Sequence, residues 1–163
     1  SKLDTPIEDY INYWDGIIEQ WLQNNFNCSE LKEQELYGKA LGIENDSFNN
    51  RLPEPYWGDP YNCSFVIMNY NPGPCQDSRH NYRFCATANN CMIHEIKRTK
   101  YSDFAMSFPL YRDLKTTELW FEDSIGRRWW QNQKKKWIND LLKALGTQKL
   151  PFAMEFCSWH SDY

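Results

Sequence analysis

Three short apolar runs, "SFVIMNY" at 64–70, "DFAMSFPLY" at 103–111 and "PFAMEFCSW" at 151–159, are separated by stretches with helical periodicity. Runs of this length and content predict strands. The segment between the second and third is the longest helix, 124–145. Ser124 caps it, Gly146 closes it, and Ile125, Trp129, Trp130, Trp137, Ile138, Leu141, Leu142 and Leu145 are its apolar positions. A helical pattern at 88–100, with Met92, Ile93 and Ile96 apolar, lies between the first two runs. Strands that alternate with helices predict an α/β chain with a short parallel sheet and helices on its faces.

Ahead of the first run, Asp4-Thr5-Pro6 marks a helix start. Ile7, Tyr10, Ile11, Trp14, Ile18, Trp21 and Leu22 continue it at helical spacing to about residue 24, and a second helix is expected at 29–41. Residues 43–62, including "LPEPYWGDP", read as a loop. At 163 residues the chain is one domain, with an N-terminal helical segment at 1–42 and a sheet-bearing core at 43–163.

Several function classes lack their marks. There is no G-x-x-x-x-G-K-[ST], G-x-G-x-x-G or G-x-S-x-G sequence, so the usual NTPase, dinucleotide and α/β-hydrolase signatures are missing. A net charge of −4 argues against a protein that coats nucleic acid indiscriminately, while leaving room for a local basic face. No apolar run approaches the roughly 20 residues of a membrane span, and no signal-peptide pattern opens the chain. The six cysteines are scattered without a C-x-x-C pair, so buried thiols in a reducing, cytoplasmic setting are expected, although N-x-S sequons stand at Asn27, Asn45 and Asn62. Cys75, His80, Cys85, Cys91 and His94 match no compact zinc spacing, and neither a metal nor an organic cofactor is expected.

What remains is a neutral set of side chains at the carboxyl ends of the expected strands, where parallel sheets place ligands. Asn71 follows the first strand, Ser107 lies within the second, and His160-Ser161 follow the third. An Asn can orient a water without adding charge, and a neutral His can donate a hydrogen bond to an oxygen that becomes negative. Such a set suits cleavage of a bond to a planar, delocalised leaving group.

The stretch "IMNYNPGP" resembles the first motif of the uracil-DNA glycosylase superfamily, above all the G-M-N-P-G-P form of its single-strand-selective branch. "LPEPYWGDP" is similar to the approach segment of uncharacterised bacterial relatives. The resemblance covers about residues 52–161, and its specific part is a few short motifs. It implies a three-layer α/β/α sandwich with a short parallel central sheet. It implies that Asn71 holds the attacking water and that Phe84, thirteen residues later, stacks on a base flipped out of DNA. His160 and Ser161 in "FCSWHSDY" take the place of the family's H-P-S motif, with His160 stabilising the departing base. Tyr70, Pro72 and Gly73 would line the pocket, the prolines stiffening the turn and Gly73 allowing close approach. The expected activity is a monofunctional DNA N-glycosylase acting in base-excision repair.

Departures from the pattern are visible. Asn69 stands where motif one has its first Gly, Tyr70 precedes Asn71, and the second motif lacks its Pro. Ser107 or Met106 falls where the family often carries an Asn that reads uracil's edge, and the one hydroxyl of a Ser cannot reproduce paired amide contacts. The wedge that the family places after its second motif would lie beyond Tyr163, so the sequence is either a fragment or lacks it. Two alternatives stay open: a relative that binds a nucleobase, nucleotide or other planar ligand without cleaving it, and an interaction domain with a vestigial pocket.

Trp129, Trp130 and Trp137 are helix-packing residues, and stacking candidates only where exposed. The basic stretches "KRTK" at 97–100 and "RRWWQNQKKKW" at 127–137 are solvated helix faces first and phosphate-contacting surfaces second. His80 and His94 are expected at the surface, and Tyr82 and Arg79 are candidates to line the pocket.

Overall fold

The computed structural model describes residues 5–23, 52–70, 96–106 and 125–158. Within them the chain has a mixed α/β architecture built on a three-stranded sheet. Helix α1 is Thr5–Gln23, as its cap and periodicity predict. Ile11, Trp14, Ile17, Ile18 and Trp21 are buried along one stripe, while Glu8, Asp9, Asn12, Glu19 and Gln20 face water.

The sheet differs from the expected all-parallel one. Strands β2 (Val66–Asn69) and β3 (Phe152–Glu155) pair in parallel, Val66 opposite Phe152 and Asn69 opposite Glu155. A two-residue strand β1 (Tyr56–Trp57) runs antiparallel on the other side of β3, giving the order β1-β3-β2 and a mixed sheet. It falls within the segment expected to be loop. Pairing extends past its amino end, since the Glu155 amide donates to Pro55 O at 2.9 Å and the Glu54 amide to Ser158 O at 2.8 Å. Nor is β2 buried on both faces: Ile67 is inside, whereas Val66 and Met68 are exposed. Its continuous apolar run belongs to a strand covered on one side.

The second strand expected at 103–111 is overturned in its described part. Residues Tyr101–Ala105 form a short helix, α2. Lys100 is extended just before it, at φ −147° and ψ 168°, and contributes no side-chain cap. The cap comes from α1 instead. The Ser102 amide donates to Asp15 Oδ1 at 2.8 Å, and the Ser102 hydroxyl donates to Asp15 Oδ2 at 2.6 Å. A carboxylate there satisfies one of the orphan N–H groups of a helix start and complements its partial positive charge. Tyr101, Phe104 and Ala105 are buried at i, i+3 and i+4, a pattern that a nine-residue window does not separate from alternation. Upstream, helical backbone covers residues 96–98 and breaks at Thr99, short of the expected end at residue 100. The helix expected at 29–41 lies outside the described residues.

Because the Asp15 pair is charge-assisted and ties α1 to α2, Asp15→Ala should cost about 1.5–3 kcal/mol. That corresponds to a fall of roughly 4–10 °C in Tm, with partial recovery in Asp15→Asn, which keeps an acceptor. Thermal unfolding checks this; a variant within 1 °C of wild type would remove the tie from the account.

Helix α3 covers residues 125–144, close to the expected bounds. Two α-helical pieces, Ile125–Gln133 and Asn139–Ala144, flank a π-helical turn at Lys134–Ile138. The buried residues Trp130 and Ile138 are eight apart, which in a regular α-helix leaves them about 80° out of line. The wider π turn takes up that excess and returns both to the core. Trp137 and Leu145, counted as apolar-face positions from the sequence, are instead exposed. The helix closes as expected at Gly146, whose φ of 64° is the left-handed conformation. The Thr147 amide donates to Leu142 O and the Gly146 amide to Lys143 O, both at 3.1 Å, the paired bonds of a Schellman motif.

An aromatic cluster joins helices to sheet. The Tyr56 ring lies 5.3 Å from Tyr101, 5.8 Å from Tyr10 and 5.6 Å from Phe152, centroid to centroid. The Tyr101 hydroxyl donates to Tyr56 O at 2.7 Å, and the Tyr10 hydroxyl to Pro55 O at 3.2 Å. The Tyr56 hydroxyl is buried with no hydrogen-bond partner among the described residues. Burial foremost, then the nearby Asp15 charge, raises the Tyr56 phenol far above its ordinary range, and burial does the same for Tyr101.

Unfolded tyrosine ionises near pH 10, whereas these two stay protonated in the native state. Above that pH the native chain therefore holds more protons than the unfolded one, and stability falls as pH rises. Each residue should contribute a loss of up to about 1.4 kcal/mol per pH unit, its stabilisation being fully present below about pH 10. Urea midpoints taken across that range should fall less steeply in a Tyr56→Phe/Tyr101→Phe variant than in wild type. Parallel curves would refute the assignment.

Candidate functional site

The carboxyl ends of β2 and β3 meet at one corner of the sheet, and the parallel ladder continues past both strands. The Phe156 amide donates to Asn69 O and the Cys157 amide to Tyr70 O, each at 2.8 Å. On its other side this extension of β3 is held by residues 54–55, as described above. The backbone is thus pinned through residue 70 on one strand and residue 158 on the other. In sequence, Asn71 follows the first pinned end by one residue and His160 the second by two; the pinned ends themselves lie on neighbouring parallel strands at the same end of the sheet.

Two environments occur at this corner. The Asn69 side-chain amide donates to Glu155 Oε1 at 3.1 Å; Glu155 is buried and Asn69 half-buried. The bond crosses from strand to strand at paired register positions and holds a carboxylate at the strand ends. Tyr70 and Phe156 occupy the opposite strand parity. They are 63% and 60% exposed, with rings stacked at 6.1 Å and 20°. Met68, also exposed, shares their strand face. Large apolar groups left in water at a strand end form a platform on which a planar group can lie.

Of the residues expected to build the site, Tyr70 is placed at this corner. Asn71, Pro72, Gly73, Phe84, Ser107, His160 and Ser161 lie outside the described residues, as do Arg79, His80, Tyr82 and His94. Helix α2 ends at Ala105, so a middle strand carrying Ser107 into the site is not what precedes that residue. Phe156 and Glu155 carry no mark in the sequence, and Asn69 stands out there only as a departure from motif one. The register that brings them together is a long-range property, and the only local hint was the apolar "FAMEF" alternation around one acid.

Among the described residues no three His, Cys, Asp or Glu side chains gather as a metal site. Cys157 is buried and Cys63 half-buried. No described helix is long and apolar enough to cross a membrane. No protein-family model matches the chain, and neither the curated proteins nor the solved structures contain a detectable match.

Proposed function

We propose that the corner formed by the ends of β2 and β3 receives a planar base, and that the chain is a DNA N-glycosylase of the uracil-DNA glycosylase superfamily. The observation that carries this reading is the parallel pairing of β2 with β3. It sets Tyr70, the residue before Asn71, and Ser158, two before His160, at the ends of adjacent strands, which supports a shared active site. The exposed Tyr70–Phe156 stack at the same end supports it further. In the finer architecture we propose, helices cover both sides of the sheet as in a three-layer α/β/α sandwich. Phe152, near Tyr56 of the α1–α2 side, shares its strand face with Val66. Phe65, which meets Trp137 of α3 at 6.3 Å, belongs by alternation to the other face.

In the proposed reaction, water held by Asn71 attacks the sugar C1′ as the C1′–N bond breaks. The bonding pair leaves on the base, His160 donates a hydrogen bond to the resulting anion, and the proton lost by water passes to solvent. Flipping the base into the corner costs a few kcal/mol of unstacking. Release of free base from oligonucleotides carrying uracil, hypoxanthine or other damaged bases is the test.

One observation favours a second reading. A helix at Tyr101–Ala105 stands where the expected middle strand, the one to carry the base-reading position, was to begin. That favours a chain that binds a planar nucleobase or nucleotide without cleaving it. Such a protein would gain thermal stability with free bases or nucleotides and release none.

A further inference from the structure

A second surface lies on α3, whose Trp137 meets Phe65 beside the amino end of β2, the end of that strand opposite Tyr70. Residues 125–144 contain six Lys or Arg and one acid, Asp140, in a chain whose net charge is −4. The exposed side of the helix includes Trp129, Asn132, Lys135, Lys136, Asn139, Asp140 and Lys143. No hydrogen bond or ion pair engages the side chains of Lys135, Lys136 or Lys143 among the described residues. Trp129 is 45% exposed and is held at its edge by Trp130, at 4.7 Å and 84°. Trp137 is 37% exposed, and its indole N–H donates to Gln133 Oε1 at 2.8 Å. The π-helical turn falls on the lysine run itself. It aligns the buried residues on either side and leaves Lys135 and Lys136 in water.

We propose that this face of α3 binds single-stranded nucleic acid. Charge complementarity selects a polyanion: three cations without acidic partners concentrate on one element of an acidic protein. The exposed indole selects unpaired bases over other polyanions, because a ring on the same helix as the lysines offers stacking that a duplex, an acidic peptide or a lipid headgroup does not use. From Trp129 to Lys143 the helix advances about 21 Å, enough to meet several successive phosphates. This surface does not depend on the glycosidic reaction proposed for the other end of the sheet.

The test is fluorescence anisotropy of the full chain with labelled oligothymidylate of about 20 nucleotides, a duplex of the same length, polyglutamate and phosphatidylserine vesicles, over a salt series. Binding of the single strand should weaken with salt with a log–log slope of about −2 from the three lysines. Lys135→Gln/Lys136→Gln/Lys143→Gln should weaken it about tenfold or more at low salt and abolish most of that slope. Trp129→Ala should weaken single-strand binding by roughly 5- to 100-fold and leave duplex binding unchanged. Oligothymidylate carries no damaged base, so its binding reads this surface apart from the proposed active site. All the α3 substitutions are at exposed positions, and an unchanged Tm confirms that the variants are folded. The proposal is overturned if wild type does not bind the single strand at low salt, or if the triple variant binds it as tightly as wild type. Tighter binding to the duplex, polyglutamate or vesicles overturns it as well.

Discussion

Trp21→Ala is expected to cost about 3–5 kcal/mol of stability, the largest effect of any single truncation in the described core. Trp21 is wholly buried at the end of the α1 stripe that also carries Trp14, Ile17 and Ile18. Alanine removes the indole and leaves a cavity that the flanking helix turns fill only in part, so the loss includes both transfer and cavity contributions. Against the roughly 5–15 kcal/mol of a typical domain, that is about a fifth of the margin or more. Urea unfolding should show a lower midpoint with little change in slope. Trp21→Phe, which retains most of the apolar volume, should fall between the two. A Trp21→Ala loss below about 1 kcal/mol would mean that α1 is not integral to the core.

The second large effect concerns chemistry. If Asn71 positions water and His160 stabilises the departing base, their interactions are stronger in the transition state than in the bound substrate. Removing either should slow base release by about 10²–10³-fold. Neither substitution should lower the single-strand affinity assigned to α3. A fall in release with binding intact therefore points to the reaction step, and a fall in binding alone points to the helix.

Legibility in the sequence followed the range of the forces involved. α1 and α3 were readable because many apolar residues recur at 3.6-residue spacing between recognisable ends, Asp4-Thr5-Pro6 at one and Gly146 at the other. β2 and β3 were readable as short apolar runs, but the exposure of Val66 and Met68 was not, because it depends on what covers the sheet. α2 was misread as a strand: its cap is Asp15, 87 residues away in sequence, and its buried positions fit either period over so short a window. β1 was missed because it exists only through pairing with β3, inside a segment whose prolines and glycine indicate a loop. At the candidate site, Tyr70 follows the readable end of β2. The Phe156 stack and the Asn69–Glu155 bond required the register. The π turn in α3 had no sequence mark at all, and it leaves Lys135 and Lys136 exposed.

Single-turnover release of free base from single- and double-stranded oligonucleotides is the most direct test of the function proposed here. Substrates carrying uracil, hypoxanthine and other deaminated or oxidised bases should be presented to wild type, Asn71→Ala and His160→Ala. The account predicts release by wild type from at least one of these substrates, with both variants slower by about 10²–10³-fold. No release by folded wild-type protein across the panel, or release that both variants support at the wild-type rate, would contradict it.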